Sequence, residues 1–182
     1  MRIISGKLKG RKIDGFDLDG TRPTMERVKE SLFAMIQNDL NESNVLDLFA
    51  GSGNLGIEAI SQGAKKATLV DYNAKAIKVI RKNMDTLNIN QSINVICSDY
   101  KMAIKKLKNN NKFDVIFLDP PYKTDFIEKS IEEITKCNIL NDSGIIVCES
   151  SVLDKIIYPN IYTAIKEKKY GDKYVVILKK IW

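Results

Sequence analysis

A chain of 182 residues that is 44% hydrophobic has enough apolar material for the core of one domain. No apolar run approaches the roughly 20 residues of a membrane span, and the opening stretch from Met1 to Lys7 is too short in apolar residues for a signal peptide. The net charge is +6 and there is no histidine, which excludes His-based general-base chemistry, His–Cys nucleophile pairs and His metal sites; with no Cys-x-x-Cys either, no metal site is expected.

The charge excess sits at the N-terminus. Arg2, Lys7, Lys9, Arg11 and Lys12 fall within the first twelve residues with no acid among them, leaving 24 basic against 23 acidic residues in the remainder. Such a patch reads as a phosphate-binding surface. Short strand pieces are predicted at Arg2–Ile4 and Arg11–Ile13 around a turn at Gly6 and Gly10, followed by a loop over 14–21. Thr24 is the expected N-cap of a helix running to Leu40, whose apolar residues Val28, Leu32, Ala34, Met35 and Ile36 recur at helical spacing.

The stretch on which the chain is organised follows. Val45 to Phe49 is an apolar run carrying one carboxylate, Asp47, and it leads into Ala50, Gly51, Ser52 and Gly53, with a third glycine at Gly56. A buried strand, a glycine turn and a helix in this order cradle a nucleotide. Asp47 speaks against a pyrophosphate, which it would repel, and for a cationic ligand group. S-adenosylmethionine, with an ammonium, a sulfonium and no phosphate, fits that requirement.

Strand and helix then alternate. A helix is predicted over Asn54–Gln62, then strand Ala67–Val70 ending in Asp71 and a helix over Ala74–Leu87. Strand Ile93–Cys97 precedes Asp99, with a basic helix over Met102–Lys108. Strand Phe113–Leu118 runs into Asp119-Pro120-Pro121-Tyr122, followed by a helix over Asp125–Cys137 and a strand over Gly144–Cys148. An irregular or helical link over 152–160 and a terminal hairpin, Tyr162–Lys168 with Tyr174–Lys180, complete the chain. Repeated strand–helix units imply an α/β domain with a parallel sheet covered on both faces, closed by an antiparallel hairpin. Cys97, Cys137 and Cys148 lie in or beside apolar runs and are expected as buried free thiols of a cytoplasmic protein.

Ligands bind at the carboxyl ends of the strands in such a sheet. Asp71 lies 20 residues after Gly51, the spacing of an acid that accepts from ribose hydroxyls. For both Asp71 and Asp99 a helix-capping role is the alternative. In Asp119-Pro120-Pro121-Tyr122 the two prolines remove two N–H donors, so a carboxylate and carbonyls make an acceptor-rich corner beside an aromatic face. That corner suits an amino group on a planar base.

Together the glycine loop, the acidic strand ends and the Asp119–Tyr122 motif resemble the class I S-adenosylmethionine-dependent methyltransferases that act on exocyclic amines. Two N-terminal stretches narrow the resemblance. Arg2-Ile3-Ile4-Ser5-Gly6-Lys7-Leu8-Lys9-Gly10-Arg11, and the run from Thr21-Arg22-Pro23-Thr24 to Arg27-Val28-Lys29-Glu30-Ser31-Leu32-Phe33, look like the RsmD type, bacterial 16S rRNA guanine-N2 methyltransferases. Met25 departs from the family pattern, which has a small polar residue there, and the tail after Asp154 matches only loosely.

The resemblance implies a Rossmann-like domain over residues 22–182, with a mostly parallel seven-stranded sheet, preceded by a basic rRNA-binding extension over 1–21. It implies that Asp47 and Ala50–Gly53 hold the methionine end of S-adenosylmethionine, Asp71 the ribose, and Tyr72, Asp99 and Tyr100 the adenine. Arg22–Thr24 and the helix after them would cover the cofactor. Asp119 and the Pro120 carbonyl would accept from the guanine amine, with Pro121 stiffening the corner and Tyr122 stacked on the base. The implied substrate is 16S rRNA in a partly assembled small subunit, met by a monomer without metal. An adenine-N6 DNA methyltransferase, a non-catalytic rRNA-binding assembly factor and an NAD-linked dehydrogenase are the competing readings.

Overall fold

The computed structural model describes residues 1–16, 23–109, 112–121, 125–151 and 156–181. Seven strands form one sheet: β1 (Asn44–Asp47), β2 (Lys66–Asp71), β3 (Ile93–Cys97), β4 (Phe113–Leu118), β5 (Leu140–Ser151), β6 (Tyr162–Tyr170) and β7 (Lys173–Lys180), in the order β3-β2-β1-β4-β5-β7-β6. The first five strands pair parallel, and β7 pairs antiparallel with both β5 and β6. Strand order reverses between β1 and β4, and at that point the crevice of an open α/β sheet opens.

Among the described residues five α-helices cover the sheet: α1 (Pro23–Leu40), α2 (Asn54–Ser61), α3 (Ala74–Leu87), α4 (Tyr100–Leu107) and α5 (Phe126–Cys137). Alternation along the strands sends Val45, Val115, Phe117, Val147 and Val175 to one face, where they pack with apolar residues of α1, α2 and α3. Leu46, Ile116, Leu118, Ile146 and Val176 point to the other face, against α4 and α5. On the first face Phe33 of α1 meets Phe117 of β4 with ring centroids 5.7 Å apart. Gly56 lets α2 settle on β2, because a Cβ there would lie 2.0 Å from Leu69 Cδ2. Among the described residues no helix is long and apolar enough to cross a membrane.

The N-terminal segment packs into this core. Arg2 and Lys12 form an antiparallel bridge, a short 3₁₀ turn spans Gly6–Leu8, and Ile3 and Ile13 are buried while the five basic side chains remain exposed. The Ile4 and Ser5 N–H groups donate to the Glu58 carboxylate, and the Leu8 N–H donates to Ser61 Oγ at 2.9 Å, so the turn is fastened along α2.

Several boundaries differ from the sequence reading. Pro23 occupies the first helical position, where its fixed φ suits the turn, so Thr24 lies inside α1 and is not its N-cap. β1 stops at Asp47, and Leu48 and Phe49 belong to the turn that follows. β5 starts at Leu140 and reaches Ser151, well beyond Gly144–Cys148. The polar stretch Asn141–Ser143 reads as a loop, but a register shift on β4 accommodates it and Asn141 donates to Asp114 Oδ1 at 2.6 Å. Residues 152–155 of the expected link lie outside the described residues. Cys137 and Cys148 are buried, but Cys97 is exposed, because it ends β3 at the sheet's edge with a neighbouring strand on one side only.

Candidate active site

The carboxyl ends of β1, β2, β3 and β4 share one edge, and a cavity of about 860 Å³ opens there, within the size range of cofactor sites. Asp47, Ala50, Gly51, Ser52, Asp71, Tyr72, Asp99, Tyr100, Asp119, Pro120 and Pro121 all line it. Gly53 does not; it stands behind the loop, donating its N–H to Ala50 O at 2.7 Å and beginning α2. Arg22 and Tyr122 lie outside the described residues, and Thr24 falls in the first turn of α1. Met25, Val28 and Lys29 of that helix line the cavity, so α1 covers it from above.

Asp47 is buried, and its Oδ1 has no hydrogen-bond partner among the described residues. Burial pushes its carboxyl up to about 7; the N–H groups of Phe49 and Gly56 pull the other way, and the Asp71 charge adds to the rise. Gly51 adopts φ 54°, a left-handed conformation, and nothing lies within 4 Å of where its Cβ would be, so the loop presents bare backbone. An orphaned acceptor beside open backbone is a site for a cationic group.

The other strand ends supply acceptors as well. Asp71 takes the Gly51 N–H on Oδ2 (2.9 Å) and the Asn73 N–H on Oδ1 (2.8 Å), tying the glycine loop to the end of β2. The cap of α3 is Asn73, which accepts from the Lys75 N–H, so the capping alternative for Asp71 is overturned. For Asp99 it holds: Oδ1 accepts from the Lys101 and Met102 N–H groups at the start of α4, and the same residue lines the cavity. Asp119 is raised well above the ordinary carboxylate range by burial and by the Glu149 charge, against the pull of Lys173.

Further residues complete the wall. Phe49, Tyr100 and Phe126 form an aromatic cluster, Phe49 stacking on Phe126 with centroids 6.0 Å apart and each ring 5.4 Å from Tyr100. Phe126, Lys29, Glu149 and Lys173 carry no site role in the sequence reading, although Lys29 lies in the run Arg27–Phe33 and Glu149 directly follows an apolar strand, as Asp119 does. Lys29 Nζ has three acceptors in Glu58, Arg2 O and Asn54 Oδ1, which uses all three of its protons. Asn83 is a second hidden support: its buried amide donates to Ser52 O and Asp14 O, each at 3.0 Å, fixing the loop from below. The two lysines on the wall are thus each engaged with a glutamate, and five carboxylates face the cavity. Chemistry of this kind favours a cation over a phosphate.

The basic N-terminal side chains do not line the cavity. Among the described residues of the N-terminal segment Met1 and Phe16 line it, while Leu8 and Ser5 bind Ser61 at the opposite end of α2.

Residues 1–179 match the family described as "Conserved hypothetical protein 95". The chain is 37% identical over 172 residues to "Ribosomal RNA small subunit methyltransferase D" of Haemophilus influenzae, spanning 94% of this chain and 89% of the relative. It is 38% identical over 184 residues to "Putative rRNA methyltransferase YlbH" of Bacillus subtilis, spanning 99% of each. Among solved structures, "Putative methyltransferase yhhF" of Escherichia coli superposes with a TM-score of 0.88 at 30% identity, over 99% of this chain and 97% of that one. The chain therefore belongs to the conserved hypothetical protein 95 family, that of the small-subunit methyltransferase D proteins, and has the class I methyltransferase fold.

Proposed function

We propose that the chain transfers a methyl group from S-adenosylmethionine to the N2 amine of a guanine in 16S rRNA, within the small ribosomal subunit as it assembles. One observation carries the reading: the acceptor corner of Asp119 and Pro120 opens into the same cavity as the orphaned Asp47 oxygen and the bare Gly51 backbone. The names of the relatives, rRNA methyltransferases, support the substrate class.

In this reading Asp47 and the Ala50–Ser52 backbone hold the ammonium and carboxylate of the methionine end, with Gly53 supporting the loop from behind. Asp71 accepts from the ribose, Asp99 from the adenine amine, and Tyr72 and Tyr100 flank the ring. Arg22–Thr24 and α1 close over the cofactor. S-adenosylmethionine supplies an electrophilic methyl on a sulfonium, which departs as a neutral thioether. The protein's own task is to make a poor nucleophile attack. A guanine amine delocalises its lone pair into the ring; accepting both of its protons, at Asp119 and Pro120 O, favours a pyramidal nitrogen with the pair aimed at the methyl. The displaced proton leaves to Asp119 or water once the new N–C bond has formed. Tyr122 stacks on the base, which must be unpaired or flipped out to reach the corner.

The test is mass mapping of 16S rRNA from cells with and without the gene, followed by transfer of labelled methyl by the purified chain. One N2-methylguanosine should vanish without the gene and return with the protein and S-adenosylmethionine. An unchanged map, or label on adenine, would overturn the proposal.

A further inference from the structure

Sheet alternation places four charged residues in one row. Asp47, Asp119, Glu149 and Lys173 follow, by two residues or from the opposite strand direction, the inward residues Val45, Phe117, Val147 and Val175, so they share the α1 face at the carboxyl edge. The strands that carry them, β1, β4, β5 and β7, are successive neighbours. Because β7 runs antiparallel, its first residue, Lys173, arrives at the edge where the parallel strands end. Lys173 and Glu149 form an ion pair with side chains only 18% and 7% exposed, and both line the cavity beside Asp119.

We propose that the Glu149–Lys173 pair, next to Asp119, reads the Watson–Crick edge of the target base and selects guanine. This rests on the guanine-N2 reading above. Along the row the order is acceptor, acceptor, donor: the Asp119 carboxylate, the Glu149 carboxylate, the Lys173 ammonium. Guanine presents the complement in the same order, the N2 amine, the N1–H and the O6 carbonyl. With the amine on Asp119 and Pro120 O, N1–H faces Glu149 and O6 faces Lys173. Adenine with its amine in the same corner would set its N1 lone pair against the Glu149 carboxylate and a C–H against the Lys173 ammonium, one repulsive contact and one ammonium without an acceptor on the base. Fastening β5 to β7 does not require the pair, since backbone pairing already runs from Ile145–Lys179 to Ser151–Lys173. An ion pair taken out of water adds little net stability over apolar residues of the same volume, so its place on the cavity wall asks for a ligand.

The test compares guanine with 2-aminopurine at the mapped rRNA position, in small subunits reconstituted with the modified RNA. 2-Aminopurine keeps the N2 amine but lacks N1–H and O6. The wild-type chain should prefer guanine in kcat/KM by at least about 100-fold, because the two charge-assisted hydrogen bonds from the pair to N1–H and O6 are lost on the analogue. Glu149→Gln and Lys173→Met should reduce activity on guanine while leaving that on 2-aminopurine nearly unchanged, bringing the preference within about tenfold. Lys173→Arg, which keeps a donor, should retain most of it. S-adenosylmethionine affinity and thermal unfolding are followed in parallel. Equal wild-type rates on the two bases, a comparison that needs no variant, would overturn the proposal while leaving guanine-N2 methylation standing. Parallel losses on both bases in the variants would reduce the pair to a fastener. Absence of any guanine methylation would remove the underlying reading as well.

Discussion

Lys29 and Glu58 meet at 2.9 Å with both side chains buried, and between them they hold three segments of the chain beside the cavity. The ammonium also binds Arg2 O and Asn54 Oδ1 at 2.8 Å each; the carboxylate accepts from the Ile4 and Ser5 N–H groups and from Gln62 Nε2. The N-terminal hairpin, α1 and the first turn of α2 are thereby locked in one network. Since α1 lines the cavity through Met25, Val28 and Lys29, the network sets where the roof of the site lies.

Breaking that network from one side should therefore be severe. Lys29→Met leaves Glu58 charged and buried, a change that costs about 3–5 kcal/mol. In a chain of this size that lowers Tm by about 10 °C. Adding Glu58→Gln to the same chain removes the stranded charge and should recover part of the loss. Urea unfolding of the single and double variants checks this. A loss below about 1 kcal/mol in Lys29→Met would show that the carboxylate is readily rehydrated.

Asp47 yields a pH prediction of definite sign. Its carboxyl is held near 7 in the fold, mainly by burial, against 3.8 ordinarily. Between those values the folded chain binds more protons than the unfolded one, so the Asp47 contribution to stability is fully present below about pH 4 and is lost as pH rises through about 7. The full swing is about 4 kcal/mol. Asp119 is shifted in the same direction, so the effect is isolated by a variant. Asp47→Asn should be more stable than wild type at pH 8, and the difference should shrink toward pH 4–5. A difference independent of pH would mean that Asp47 is already ionised in the fold.

Why some of this was legible in the sequence and some was not follows from the range of each interaction. The parallel strands, the bounds of α3, β3 and β4, and the gathering of Asp71, Asp99 and Asp119 at one edge are carried by local periodicity and by strand ends. Lys29 was hidden because a lysine in an amphipathic helix reads as solvent-facing, and its partner lies 29 residues away on another helix. Glu58 did leave a trace: like Asp47, it is a lone acid in an apolar run, Ile57-Glu58-Ala59-Ile60. Lys173 could not be placed without knowing that β7 runs antiparallel next to β5, which sends the start of a late strand to the edge where early strands finish. Phe126 is the first residue of α5, and only the packing against Phe49 and Tyr100 makes it part of the wall.

Asp119 separates binding from chemistry. In the proposed reaction it touches the guanine amine and not the cofactor. Asp119→Ala should leave S-adenosylmethionine affinity within a few-fold and lower turnover by about 10²–10⁴. Asp119→Asn keeps the shape and one acceptor oxygen, and should fall between the two. Calorimetry for the cofactor and single-turnover methyl transfer for the rRNA separate the effects. Turnover near normal in Asp119→Ala would remove the residue from the proposed mechanism.

The basic hairpin makes the last prediction, and its position sharpens it. Arg2 sits at the cavity end, its carbonyl bound by Lys29, whereas the Gly6–Leu8 turn lies at the far end of α2, an eight-residue helix about 12 Å long. If RNA runs along this face, Lys7, Lys9 and Arg11 contact phosphates several nucleotides from the target and never approach the reacting atoms. Replacing all three by Gln should raise KM for the rRNA substrate and leave kcat within a few-fold. The slope of log affinity against log salt should flatten by about 2–3, near 0.7–0.9 for each phosphate left without its cation. The replacements touch no core residue, since all three side chains are exposed, though Arg11 also donates to Thr86 O at 3.1 Å and its loss should trim stability slightly. Binding measured from low to high salt distinguishes the possibilities: an unchanged slope would place the RNA on another face, and a fall in kcat with an unchanged KM would mean that the hairpin acts by shaping the site.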